Sequence, residues 1–141
     1  MIPTKLRANL YLDHVVLTIK DIHRTKDFYA KIFGAPDFQV DEGFMYQMGP
    51  TRLFFTLPRG PQAPNDRFDP TRVGLEHIAV GVKTADDLRA YETALDEAGI
   101  KHSGIHIDNH SNKEKIWLDD PDKIRVEFYI QADGGADNAK A

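Results

Sequence analysis

Three side chains of this sequence have the types that together hold a divalent metal ion: His14, His77 and Glu127. Two neutral imidazoles plus one carboxylate suit a first-row ion and leave coordination positions free for water or substrate. The histidines open matching segments, His14-Val-Val-Leu-Thr-Ile-Lys20 and His77-Ile-Ala-Val-Gly-Val-Lys83, so the chain says nearly the same thing twice. An aromatic follows each histidine at the same offset, Phe28 and Tyr91. Each half closes in a similar strand, Arg52-Leu-Phe-Phe-Thr-Leu57 and Arg125-Val-Glu-Phe-Tyr-Ile130. A carboxylate between Val126 and Phe128 needs a partner, a metal or solvent, because burying it unpaired is costly. Taken singly, each histidine reads more readily as a strand-start residue bonded to backbone, and Glu127 as an exposed residue. Their matching places in a duplicated unit point instead to a site built between two copies.

The elements that must position them follow from periodicity. Leu12 to Ile19 alternates and is rich in β-branched residues, which predicts a strand. Asp21 is placed to cap a helix running to about Phe33, stopped by Gly34-Ala-Pro36, with an apolar stripe of Ile22, Phe28, Tyr29, Ile32 and Phe33. Short strands are expected near Phe38–Val40, Phe44–Met48 and Arg52–Leu57. Pro58, Pro61, Pro64 and Pro70 mark a linker. The second copy repeats the order: a strand at His77–Val82, then Thr84 capping a helix over Ala85–Ala98 that ends at Gly99. Strands near Ser103–Asp108, Lys115–Leu118 and Arg125–Ile130 complete it. The predicted class is α+β, two βαβββ modules: residues 1–57, a linker 58–74, residues 75–131, and a frayed tail 132–141.

Strand parity sorts the side chains, since alternate residues face opposite sides of a sheet. Val15, Leu17 and Ile19 are expected beneath a helix, leaving His14, Val16 and Thr18 on the other face. Ile78, Val80 and Val82 leave His77, Ala79 and Gly81. Val126, Phe128 and Ile130 leave Arg125, Glu127 and Tyr129. Both histidines and the glutamate thus project from the face without helices, among small and polar groups, as a ligand cavity requires.

Composition excludes several classes. A chain of 141 residues with net charge -4 has no electrostatic footprint for nucleic acid. No apolar run is long enough to span a bilayer, and Met1 to Arg7 lacks a signal-peptide core, so a cytoplasmic protein is expected. Without cysteine there is neither a disulfide framework nor a thiolate ligand.

The pattern of a histidine strand, a helix with Phe28-Tyr29-x-x-x-Phe33-Gly34, then Gly74-Leu-Glu-His-Ile-Ala-Val80, then Asp119-Asp-Pro-Asp with Val126-Glu-Phe-Tyr129, resembles the vicinal oxygen chelate superfamily. That group holds glyoxalase I, extradiol dioxygenases, fosfomycin-resistance enzymes, methylmalonyl-CoA epimerase and bleomycin-resistance proteins. The resemblance runs from about Leu12 to Ile130. It implies paired βαβββ modules forming a cup-shaped mixed sheet with helices outside, around one divalent ion (Fe2+, Mn2+, Zn2+, Ni2+ or Co2+). Family ligands fall on His14, His77 and Glu127. In small two-module members the cup often forms between subunits, so a homodimer is implied in which His14 of one chain meets His77 and Glu127 of another.

The chain departs from its relatives where glyoxalase I and the epimerase carry a fourth ligand. Aligning Arg52-Leu-Phe54 with Arg125-Val-Glu127 puts Phe54 there, and phenylalanine cannot ligate; a shifted register would bring Gln47 or Glu42 nearby instead. Three ligands resemble the facial triad of non-haem iron oxygenases or the fosfomycin-type site. The extradiol pattern is matched in spacing by His110, Ile116, Trp117, Asp120-Pro121 and Glu127, with Trp117 replacing a tyrosine and Lys123 a glycine. His110 is the candidate acid/base, with an idle loop histidine as the alternative. Trp117 and Tyr129 are further catalytic candidates. Thr18, Arg52, Phe54, Thr56 and Arg125 are expected to line the cup. Either arginine could grip an anionic substrate, or pair with Asp119, Asp120 or Asp122 at a strand edge. His102, His106 and His23 are read as non-ligands. The expected activity is metal-dependent chemistry on a small oxygenated substrate chelated through adjacent oxygens, with dioxygenation ahead of glyoxalase-type isomerisation or epimerisation. The non-catalytic alternative is a bleomycin-resistance-like drug-binding protein.

Overall fold

The computed structural model describes residue 1 and residues 3–131. The tail expected over 132–141 lies outside the described residues. A short helix, α1 (Thr4–Arg7), precedes the modules. Four residues show no apolar periodicity, so nothing in the pattern predicts it.

The first module is β1 (His14–Thr18), α2 (Ile22–Phe33), β2 (Phe38–Val40), β3 (Gly43–Met48) and β4 (Thr51–Thr56). Asp21 caps α2 as predicted, its carboxylate accepting the Arg24 backbone N–H at 2.9 Å. The second module is β5 (Ile78–Val82), α3 (Ala85–Glu97), β6 (His106–Ile107), β7 (Glu114–Asp119) and β8 (Arg125–Ile130). Thr84 Oγ1 caps α3 by accepting from Asp87 at 3.0 Å. Past its end Gly99 takes φ +67°, the left-handed conformation that glycine adopts without penalty.

The two sheets have the same topology, β1-β4-β3-β2 and β5-β8-β7-β6. Each joins its first and last strands in parallel and the rest antiparallel, the long crossover between parallel neighbours being carried by the helix and hairpin. The architecture is therefore the α+β pair of βαβββ units that the sequence predicts.

Three strands are shorter than expected, β5 by one residue because it begins at Ile78 rather than His77. β1 begins at His14 rather than Leu12, and Tyr11 and Leu12 are exposed. The strand expected over Ser103–Asp108 shrinks to His106–Ile107, because Gly104 turns to φ +73° and breaks the extension.

Alternation holds where the site is concerned. Leu17, Leu53, Phe55, Val126 and Phe128 are buried on the helix side, while His14, Val16 and Thr18 are exposed on the other face. On α2 the buried positions include Thr25 beside Tyr29 and Ile32. One aromatic core spans both modules: Phe55 packs on Tyr29 and Phe44, Tyr91 stacks on Phe128 at 4.4 Å, and Phe33 of α2 reaches Phe128.

The joint between modules also has a polar part. Tyr29 donates its hydroxyl to Asp120 at 2.9 Å. The same carboxylate accepts the backbone N–H groups of Asp122 and Ile124. Burial pushes Asp120 up to about 6, against the pull of those three donors. Arg24 and the Lys20 backbone N–H meanwhile hold Asp122 at 2.8 and 3.1 Å. The Asp119–Asp122 turn of the second module is thus a socket for the start of α2.

Candidate metal centre

The open face of the second sheet carries the densest chemistry. His77, just before β5, directs Nδ1 to Glu76 Oε1 at 3.0 Å and Nε2 to Glu127 Oε2 at 3.2 Å. An Nδ1–H held by a carboxylate leaves the Nε2 lone pair for a metal, which fixes the tautomer a ligand needs. Two ligands each about 2.1 Å from one ion stand roughly 3.0–3.4 Å apart at octahedral or tetrahedral angles. The separation of Nε2 and Oε2 is of that size, so these two residues fit a shared divalent ion. Glu127 is only 5% exposed, and its other oxygen accepts from Lys115 Nζ at 3.0 Å.

Lys115 also meets Asp108 at 3.3 Å. Burial pulls the Lys115 ammonium down, but pairing with Glu127 and Asp108 outweighs it and raises the group overall. Bonds from Ser111 bring Asp108 down to about 2 despite partial desolvation. The Tyr129 hydroxyl has Ser111 Oγ and Asp108 Oδ2 as alternative acceptors for its one proton, and burial together with the Asp108 charge raises it, so it stays a proton-bearing donor. These groups line a cavity of ≈ 560 Å3 that also takes in His106 and His110. His110 is exposed on the loop at its rim. Trp117 is the cross-strand neighbour of Glu127, and the Arg125 guanidinium lies 3.8 Å above its ring.

The first sheet presents a different half-cup. His14 Nδ1 meets Asp13 Oδ2 at 2.7 Å, the same acid-before-histidine arrangement as Glu76-His77. Bonds from His14 and then Arg52 bring Asp13 down to about 2. The His14 ring stands edge-on to Phe54 with centroids 5.7 Å apart. Val16, Thr18, Phe54, Thr56 and Arg59 share with it a concavity of ≈ 660 Å3.

The structure therefore groups His77, Glu127, Tyr129 and His110 on one face, with Trp117 beside them. It groups His14, Thr18, Phe54 and Thr56 on another. Among the described residues no group of three His, Asp or Glu that could hold a metal is present in the single chain. Arg125 pairs with Asp119 at 2.9 Å, the strand-edge alternative, while Arg52 pairs with Asp13 at 2.7 Å, a partner outside the expected set. His102 is bound to Asp96, and His23 is exposed on α2.

Four site residues go unmarked by the ligand pattern: Lys115, Asp108, Glu76 and Asp13. Lys115 shares strand parity with Trp117, and the Asp13-His14 and Glu76-His77 dipeptides repeat. Those were the available signals.

Residues 11–128 match the Glyoxalase/Bleomycin resistance protein/Dioxygenase superfamily. The chain is 27% identical over 120 residues to a trivalent organoarsenical cleaving enzyme of Bacillus sp. (strain MD1), covering 82% of this chain and 70% of that protein. It is 31% identical over 133 residues to the uncharacterized protein YaeR of Escherichia coli (strain K12), covering 84% of this chain and 94% of that one. A candidate glyoxalase from Bacillus halodurans has the same fold, with a TM-score of 0.75 at 22% identity over 89% of this chain and 99% of that one. No helix among the described residues is long and apolar enough to cross a membrane. With two βαβββ sheets, an acid-oriented histidine on each open face and a match across both modules, the chain belongs to the Glyoxalase/Bleomycin resistance protein/Dioxygenase superfamily.

Proposed function

We propose that this protein is a metal-dependent enzyme whose centre is completed in a homodimer, His77 and Glu127 of one protomer meeting His14 of a second. The observation that carries this reading is the 3.2 Å approach of His77 Nε2 to Glu127 Oε2 at a cavity floor. Both open faces support the dimer. His14 is half exposed, and β1 and β5 each end their sheet, so a second copy can bring the unlike half-cups together.

His77 and Glu127, with His14 of the second protomer, would hold a divalent first-row ion, which would supply Lewis-acid chemistry for a substrate with adjacent oxygens. Glu76 and Asp13 hold the two imidazoles in the ligating tautomer. Tyr129 is a hydroxyl donor inside the cavity, and His110, which also lines it, is the acid/base in this proposal. Phe54 and Val16 form an apolar wall for the carbon body of the substrate. Because Phe54 withholds a fourth protein ligand, the reading favours dioxygenation of an ortho-dihydroxy aromatic. Trivalent arsenic is thiophilic, and this chain has no cysteine. The activity named for the Bacillus relative is therefore not carried over.

The test is metal content of untagged protein for the wild type, His14→Ala, His77→Ala and an equal mixture of the two variants. The expected result is about one first-row ion per chain in the wild type and loss in either variant. The mixture should recover roughly a quarter of the sites, since only a hybrid dimer contains one intact centre. Protein loaded with iron(II) should then consume oxygen with a catechol. Metal without oxygen uptake shifts the reading to isomerisation or epimerisation. No uptake of iron, manganese, nickel, cobalt or zinc by the wild type sinks the enzyme reading in favour of ligand sequestration.

A further inference from the structure

We propose that Lys115 is a built-in counter-cation of the metal centre, holding the Glu127 carboxylate until an arriving divalent ion displaces the ammonium onto Asp108. The inference rests on the metal reading of His77 and Glu127 and goes beyond it, because it concerns a residue that is not a ligand.

The geometry divides the two oxygens of Glu127 between two partners. Oε2 faces His77 Nε2 at 3.2 Å, and Oε1 accepts from Lys115 Nζ at 3.0 Å. The side chains of Glu127 and Lys115 are 6% and 17% exposed, so the carboxylate has little water to balance its charge. A nearly buried carboxylate demands a positive partner, and the ammonium supplies the charge that a metal would.

An ion seated between His77 and Glu127 would share that carboxylate with a second cation. Mutual repulsion then has to be relieved, and the structure holds an alternative seat. Lys115 Nζ already stands 3.3 Å from Asp108 Oδ1. Asp108 is itself anchored, its Oδ2 accepting the Ser111 backbone N–H at 3.0 Å and the Ser111 hydroxyl at 2.8 Å. A flexible four-carbon stem with three rotatable donors can let go of one carboxylate while keeping the other. Two consequences follow. Metal affinity sits below what the ligands alone would give, and Asp108 influences it chiefly by drawing Lys115 away.

Cobalt(II) titration, followed by its d–d absorption, tests this in the wild type, Lys115→Met, Asp108→Asn and the double variant. Lys115→Met keeps the apolar stem and should bind cobalt about tenfold tighter or more, as expected for removing a unit charge a few ångströms from a dication. Lys115→Gln should tighten binding in the same direction, which guards against a Met variant that fails to fold. Asp108→Asn should weaken binding, because Lys115 then has only Glu127 to hold. In the double variant the Asp108 effect should vanish, leaving the affinity of Lys115→Met, because coupled residues are not additive.

Equal or weaker binding by both Lys115 variants overturns the proposal while leaving the metal centre standing. So does an Asp108→Asn effect that survives undiminished in the double variant. Cobalt binding by the wild type that His77→Ala abolishes secures the metal reading independently. If neither the wild type nor any variant takes up cobalt, the metal reading falls and the proposal with it.

Discussion

His77 Nε2 lies 3.2 Å from Glu127 Oε2, and in the first module the His14 ring stands edge-on to Phe54, which holds the place of Glu127. Strand register makes the two pairs equivalent. β1 aligns His14 with Arg52 and Val16 with Phe54, and β5 aligns Ile78 with Val126 and Ala79 with Glu127. The duplication therefore carries a carboxylate in one copy and an aromatic in the other. If the half-cups of two protomers face each other, Phe54 lies across the centre from Glu127.

In the proposed dimer, Phe54→Glu should accordingly give the centre a fourth protein ligand. We expect cobalt affinity to rise by about tenfold or more, in line with an added charged donor, and the d–d spectrum to change shape. A spectrum and affinity equal to wild type would mean that Phe54 does not face the ion.

Glu76 and Asp13 should matter to metal binding without touching the ion. Glu76→Gln and Asp13→Asn each remove the carboxylate that holds an Nδ1. Losing such an orienting partner typically lowers metal affinity 10- to 100-fold, roughly. Thermal stability should barely move, since both are surface contacts. Unchanged titration curves for both variants would show that other contacts set the ring orientation.

Asp120 predicts a pH dependence of stability. Its folded-state value, raised from 3.8 to about 6 chiefly by burial, lies above its unfolded value. The folded protein therefore binds more protons between about pH 4 and pH 6. The stability this contributes is fully present below pH 4 and is lost as pH rises through 6, by about 3 kcal/mol at most. Asp120→Asn keeps a carbonyl oxygen for the two backbone donors and should flatten that decline in Tm. Tyr29→Phe removes a donor that lowers Asp120, so it should extend the decline to higher pH at a cost of about 1–3 kcal/mol. The carboxylates brought down to about 2, Asp13 and Asp108, titrate below this window. Parallel Tm profiles for the wild type and Asp120→Asn would refute the assignment.

What the sequence by itself determined is local. The alternation of β1 and β8, the caps at Asp21 and Thr84 and the stop at Gly99 each depend on a few neighbouring residues. Backbone geometry converts such patterns directly into facing and length, so the βαβββ order and the face carrying His14, His77 and Glu127 were legible. The tertiary structure decided which of those residues meet. His14 lies on a different half-cup from His77, Arg52 and Arg125 are claimed by Asp13 and Asp119, and Lys115 reaches both Glu127 and Asp108. Spacing along the chain could not reveal these pairings. Cross-strand register and the packing of two separate sheets choose the partner of a long charged side chain, and they do so among groups far apart in sequence. The socket that Asp120 makes for Tyr29 has the same origin, because it joins residues 91 positions apart in sequence.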